Sequence, residues 1–269
     1  MMRLLRSLVV DTGCEQLRAT VADGIGTIVF DNPEKHNAMT GDMLAALGRV
    51  TTAFAEDPDV RVVIVRGAGD RAFVSGADIN QLGSGAISTP PPGAATATPP
   101  RRMLAIGKPV LALIHGYCIG GGVMVALAAD LRVCSDDAQF GIPAARLGVG
   151  YPHEATTTLV ALVGPGHAAE ILFSGRRIDA AEALRIGLVN HVVPKNGLED
   201  FVHTLAREIA DNAPLSHVAH QRSIHAAMTG DPSERPGVDD ATAAAWNSAD
   251  FKEGAAAFLE RRPPHFEGR

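Results

Sequence analysis

Ile114-His115-Gly116-Tyr117-Cys118-Ile119-Gly120-Gly121-Gly122-Val123-Met124-Val125-Ala126-Leu127-Ala128-Ala129-Asp130 follows directly on an apolar run, Pro109 to Ile114, that reads as a buried strand. The glycine triplet then opens a helix of apolar residues and alanine. Glycines at a strand-to-helix junction let another backbone or a ligand come into contact with the main chain. The first N–H groups of the helix have no partner inside it and lie at the positive end of its dipole. An electron-rich guest is therefore expected there. Phosphate is one candidate, but no Lys-Ser/Thr pair follows the glycines and the dinucleotide fingerprint is poorly met. A carbonyl oxygen that gains negative charge during a reaction is the second candidate. A close helix–strand crossing with no ligand is the third.

The 269 residues suffice for one large domain, or for a main domain with a smaller appendage. Apolar residues at 46% and charged ones at 20% suit a globular protein with a substantial core. A formal charge of -6, with no Lys/Arg stripe, argues against nucleic acid as a partner. Cys14, Cys118 and Cys134 are odd in number and widely spaced, so they read as reduced structural thiols and not as a disulfide or zinc framework. Met1 to Val10 is too short and too interrupted by arginine for a secretory signal, and no apolar run reaches membrane-spanning length. A cytoplasmic protein with no membrane partner is expected.

On either side of the glycine stretch the pattern alternates. Gly26 to Asp31 reads as a strand, ended by Asn32-Pro33, and Thr40 opens a helix through Phe54 with apolar residues at helical spacing. Val60 to Val65 and Ala72 to Ser75 read as further strands, the latter ending at Gly76. Gly83 to Pro100 is Gly, Ser, Ala, Thr and Pro, expected as a mobile surface loop of the kind that serves as a lid, with a short helix over Arg101 to Ile106. Leu131 to Cys134 and Ala138 to Pro143 read as short strands. Pro152 reads as part of the first turn of a helix running to about Val163, with Gly164-Pro165-Gly166 as punctuation and Ala168 to Phe173 helical. Asp179 caps a helix from Ala180 to Ile186, Gly187 ends it, and Leu188 to Val193 reads as a strand. Helices are expected over Leu198 to Asp211 and Leu215 to Met228, then a pair broken near Ala249-Asp250. The fold class is α/β with a helical C-terminal extension.

Five segments, in this order, resemble the enoyl-CoA hydratase/isomerase family, the crotonase superfamily. They are Asn32 to Met39, Ala72 to Ile79, Lys108 to Asp130, Phe140-Gly141-Ile142-Pro143, and Phe173 to Leu184 with Gly187 to Asn190. The resemblance spans nearly the whole chain. It implies a spiral of ββα turns with two roughly perpendicular sheets over residues 1–196, and a helical C-terminal region over 197–269 used in trimer contacts, trimers often pairing into hexamers. It implies an acyl-CoA thioester as ligand, coenzyme A entering only as part of the substrate, with no tightly bound cofactor and no metal. By matching position, the backbone N–H groups of Ala77 and Gly121 would form an oxyanion hole. Lys35, His36 and Ala38, with Ser75, Gly76, Asp78, Ile79 and Gly120, fall where the family contacts the CoA thioester. Lys35 and His36 read equally as a solvated turn, Asp78 as a turn or cap residue, and Cys118 as a small buried side chain.

The chain departs from the family pattern at two positions. Hydratases of the family use one glutamate two residues after the glycine triplet and another after the proline of Phe-Gly-x-Pro; here these are Met124 and Ala144. Neither side chain transfers a proton. The remaining candidates lie in Leu147 to Glu154, where family isomerases, decarboxylases and carbon–carbon hydrolases carry an acidic residue. Glu154 is the best substitute, with His153 or Tyr151 as partner; a carboxylate in an apolar acyl pocket holds its proton to higher pH, which suits proton shuttling. An acid in a first helical turn is also favoured by the dipole alone. Three functions are compatible with these residues. One is an isomerase, or a hydratase with a rearranged base. Another is a carbon–carbon hydrolase or lyase using His153 and Glu154 on water. The last is an acyl-CoA-binding protein without chemistry.

Overall fold

A computed structural model describes residues 8–83, 103 and 105–269. The expected loop over 83–100, apart from Gly83, and half of the expected helix over 101–106 (residues 101, 102 and 104) lie outside these residues.

Among the described residues the strands form two sheets. The larger has seven strands: β1 (Leu8–Val10), β2 (Leu17–Ala22), β3 (Ile25–Phe30), β4 (Val62–Gly67), β6 (Val110–Ile114), β8 (Leu131–Ser135) and β11 (His191–Val193). From β3 onward its neighbours are parallel, while β1, β2 and β3 pair antiparallel. The smaller has the order β10 (Arg177–Asp179), β9 (Gln139–Gly141), β7 (Tyr117–Ile119) and β5 (Ala72–Val74). Each of β4, β6 and β8 in the large sheet is followed directly by β5, β7 or β9 in the small one, which gives the spiral of strand pairs. Parallel strands covered on both faces read as continuous apolar runs, and β6, buried at all five residues, is such a strand.

The helices are α1 (Gly41–Glu56), α2 (Ile79–Gly83), α3 (Gly121–Leu127), α4 (His153–Ser174) and α5 (Ala180–Arg185), then α6 (Leu198–Ala210), α7 (Pro214–Thr229), α8 (Arg235–Trp246) and α9 (Ala249–Glu260). In α1, the Thr40 hydroxyl accepts from the Met43 N–H at 3.2 Å, and Met43, Leu47, Val50 and Phe54 are fully buried along one face. The Lys108 ammonium closes its other end by donating to the Phe54 and Asp57 carbonyls. The buried Arg132 does the same for α3, donating to the Ala129 carbonyl at 2.7 Å and to Leu188 at 2.9 Å. One apolar core lies among the large sheet, α1, α3, α4 and the small sheet. A second lies on the opposite face of the large sheet, where Leu198, Val202 and Ala206 of α6 pack on Ile64, Leu111 and Val133. The change from strands to helices near residue 197 is thus a change of element type across which packing continues.

Several expectations are corrected. The glycine stretch does not run from strand straight into helix: the three-residue β7 intervenes and moves the chain from one sheet to the other. Strands β1, β2 and β10 were not visible in the pattern; β1 and β10 are only three residues long, too short for alternation to register. Leu188 and Val189 are buried in a turn, and only His191–Val193 is strand, because the chain there first turns over the Arg132 guanidinium. Pro152 is the residue before α4 and not within it. The expected break at Gly164 is present as a non-helical residue (φ 75°, ψ 162°) inside α4. The last two helices part at Asn247-Ser248, with the Ser248 hydroxyl capping α9.

Candidate active site

The junction between β7 and α3 meets the loop after β5. Met39 donates its N–H to the Gly76 carbonyl at 2.8 Å, and Asp78 donates to the Met39 carbonyl at 2.8 Å. In such an extended pairing successive backbone groups face opposite sides. The N–H of Ala77, between those two bonded groups, is therefore directed away from the Met39 backbone. The Ala77 nitrogen lies 3.5 Å from where a Cβ on Gly121 would stand. Gly121 is the first residue of α3, so its own N–H has no acceptor inside the helix. Neither N–H has an acceptor among the described residues.

Each glycine of the triplet has its own reason. Gly120 adopts φ 54°, ψ −110°, outside the range of ordinary side-chain-bearing residues. A Cβ on Gly122 would run into the Val74 carbonyl oxygen, so this position serves the close helix–strand crossing. At Gly121 a Cβ would meet the Met39 methyl and approach the Ala77 amide. A crossing without a ligand accounts for Gly122 alone.

Gly120 is the hub of the junction. Its N–H donates to the Gly141 carbonyl at 2.8 Å, and its carbonyl accepts from the Met124 N–H at 3.2 Å and from the Tyr151 hydroxyl at 3.1 Å. Burial pushes the Tyr151 phenol well above its usual pKa, so it remains a donor. The structure thus places Tyr151 against the junction. Glu154 is half-buried in the first turn of α4, and His153 beside it is exposed. Met124 and Ala144 are half-buried and pack on the core that also holds Tyr151.

The residues expected along the thioester path form a second group. The Lys35 ammonium pairs with the buried Asp78 carboxylate at 2.7 Å. That hydrogen bond is the main reason the Asp78 carboxyl titrates below its usual value, with burial opposing it and the Asn80 N–H assisting. Asp78 also accepts from Asn80 at 2.9 Å at the start of α2, the cap role allowed by its position. Ser75 donates its hydroxyl to the Lys35 carbonyl at 3.2 Å and its N–H to the His36 carbonyl at 3.1 Å. Ala38 is buried, while Ile79, the first residue of α2, is 70% exposed, an unusual placement for so apolar a side chain. His36 is half-buried, its ring edge-on to Tyr117 at 6.0 Å, and the Arg177 guanidinium lies over the Tyr117 ring at 5.2 Å. Cys118 is fully buried. Among the described residues no group of three or more His, Cys, Asp or Glu is placed to hold a metal ion.

Asn37 was missed in the sequence. It is buried at φ 57°, accepts from the Asn32 N–H at 3.0 Å, and donates to the Ala68 and Ala72 carbonyls at 2.9 and 2.8 Å. This one side chain ties the Lys35 loop to β4 and β5. The available signal was its place between His36 and Ala38 after a turn, since Asn tolerates the left-handed region.

Comparison with known proteins agrees with this architecture. The family model described as enoyl-CoA hydratase/isomerase matches residues 20–269. A carnitinyl-CoA dehydratase of Proteus mirabilis is 36% identical over 261 residues, covering 95% of this chain and 99% of the relative. A solved enoyl-CoA hydratase/isomerase family protein from Hyphomonas neptunium superposes with a TM-score of 0.85 at 35% identity, over 94% of this chain and 98% of that one. An enoyl-CoA hydratase/carnitine racemase from Magnetospirillum magneticum gives a TM-score of 0.85 at 30% identity, over 95% and 97%.

Proposed function

Because the chain belongs to the enoyl-CoA hydratase/isomerase family of crotonase-fold enzymes acting on CoA thioesters, we propose that it forms and quenches a thioester enolate using a single carboxylate. The observation that carries this reading is the approach of the Ala77 amide to Gly121, each N–H lacking an acceptor among the described residues. A thioester oxygen lodged between them receives two hydrogen bonds, which strengthen as the oxygen gains charge. Lys35, His36, Ala38, Ser75, Gly76, Asp78, Ile79 and Gly120 then border the path of the CoA portion.

Met124 and Ala144 leave the two usual glutamate positions without a titratable group. Asp78 is committed to Lys35 and to the cap of α2. Glu154, half-buried near Tyr151, is the acid/base group in this reading. It takes the proton from the carbon next to the thioester, and the electron pair moves into the carbonyl. Return of the proton further along the chain completes an isomerisation; in a dehydration the enolate electron pair forms the new double bond, the β C–O bond breaks, and Glu154 hands its proton to the departing hydroxyl, which leaves as water. The relatives named carnitinyl-CoA dehydratase favour the second outcome and a carnitinyl thioester as first substrate to try. The exposed position of His153 gives a two-residue hydrolase less support.

Self-association as a trimer or hexamer fits the exposed Trp246, Phe258 and Leu259 of the C-terminal helices. Among the described residues no helix is long and apolar enough to cross a membrane, and we place the enzyme in the cytoplasm.

The test is a panel of enoyl-, 3-hydroxyacyl- and carnitinyl-CoA esters with wild type and Glu154→Gln. Turnover by wild type, reduced roughly 10²-fold or more in the variant with ester binding retained, is expected. Unchanged turnover in Glu154→Gln removes Glu154 from the mechanism. Tight binding with no turnover by wild type, or activity only on β-dicarbonyl compounds, overturns the reading.

A further inference from the structure

The Tyr151 hydroxyl does not face the junction at random: it donates to the Gly120 carbonyl at 3.1 Å. That carbonyl and the Gly121 N–H are the two ends of one peptide group. The same carbonyl also accepts the Met124 N–H at 3.2 Å. Hydrogen bonds to a peptide oxygen draw electron density away from its nitrogen and make the N–H a stronger donor. They also fix the rotation of the peptide plane, which matters at Gly120, whose dihedrals permit wide movement.

We infer that Tyr151 is a positioning residue that orients and polarises the Gly120–Gly121 peptide, so strengthening the Gly121 N–H toward the substrate oxygen. This rests on the oxyanion reading above, and it assigns Tyr151 a role other than proton transfer. Burial keeps the phenol protonated throughout the working pH range, so its contribution does not titrate. No other polar side chain is hydrogen-bonded to this carbonyl among the described residues.

The experiment uses an acyl-CoA ester labelled with ¹³C at the thioester carbonyl, bound to the full-length enzyme. Hydrogen bonding to that oxygen displaces the carbon resonance downfield, so the resonance reports donor strength directly. Tyr151→Phe is expected to reduce the displacement and to slow α-proton exchange roughly tenfold, with ester affinity changed less than about threefold and the pH profile of exchange keeping its shape. The chain has two tyrosines, Tyr117 and Tyr151. Fluorotyrosine incorporated in a Tyr117→Phe background is a stronger donor of similar shape at 151, and it is expected to move the resonance further downfield. This second arm stands even where Tyr151→Phe folds poorly. An unchanged resonance and exchange rate in both proteins overturns the inference while leaving the enolate reading intact. Loss of one limb of the pH profile in Tyr151→Phe also overturns it, by making Tyr151 an acid or base. Absence of any displacement or exchange in wild type overturns the oxyanion reading and this inference together.

Discussion

The Ala77 amide nitrogen lies 3.5 Å from the point a Cβ on Gly121 would occupy, although the two residues belong to different turns of the spiral. Gly121→Ala places a methyl there and also displaces the Met39 methyl beneath it. The Gly121 N–H remains, but the methyl stands in front of the Ala77 amide and keeps the substrate oxygen from it; loss of one oxyanion donor typically costs ~10²–10³ in rate. The variant is expected to lose turnover by about that factor while keeping its circular-dichroism spectrum, since alanine is a better helix former than glycine. Steady-state kinetics on the best CoA ester checks it; a rate within a few-fold of wild type contradicts it.

Met124→Glu combined with Ala144→Glu returns carboxylates to the two hydratase positions. Both sites are half-buried near the glycine junction, so the acids retain some contact with water. The double variant is expected to gain hydration of a short enoyl-CoA at least about tenfold over wild type, a modest part of the 10²–10⁴ that a placed acid or base contributes. Absorbance of the enoyl thioester follows the reaction. No gain, with the fold intact, would mean that these positions do not face the acyl carbon.

Asn37→Ala removes three hydrogen bonds and leaves the Asn32 N–H and two carbonyls short of partners in a buried site. It also forces alanine to φ near 57°. A loss of about 2–4 kcal/mol is expected, read as a lower urea midpoint, together with weaker ester binding because the Lys35 loop is released from β4 and β5.

His115 is buried, its Nε2 has no partner among the described residues, and burial, aided by the Arg66 and Lys195 charges, lowers its pKa to about 4. The unfolded chain, with a histidine near its ordinary value of about 6.5, binds the proton first. Stability from this group is therefore complete above about pH 6.5 and is lost as the pH falls toward 4, by about 3 kcal/mol at most. His115→Leu is expected to flatten the urea midpoint over that interval. An equal slope in wild type and variant would assign the acid sensitivity elsewhere.

The glycine stretch, the Thr40 and Asp179 caps and the break at Gly164 were legible because each is a local pattern with a local cause. Strand β7 was not, because three residues carry no period and its partners Ala72 and Gln139 are distant in the chain. The candidate site divides in the same way. Ala77 and Gly121 could be placed through resemblance to a family, and Met124 and Ala144 stood out against it. The link from Tyr151 to Gly120, the clamp of Asn37 and the Lys35–Asp78 pair join side chains to groups in other elements. Such contacts leave no trace in spacing or composition.

The central claim is that this site makes a thioester enolate, and solvent deuterium uptake measures it most directly. A saturated acyl-CoA, unable to react further, is incubated with the enzyme in deuterium oxide and its α-carbon is followed by NMR. The account predicts incorporation at that carbon, fast in wild type and suppressed in Gly121→Ala. An ester that binds but keeps its α-protons indefinitely would contradict it.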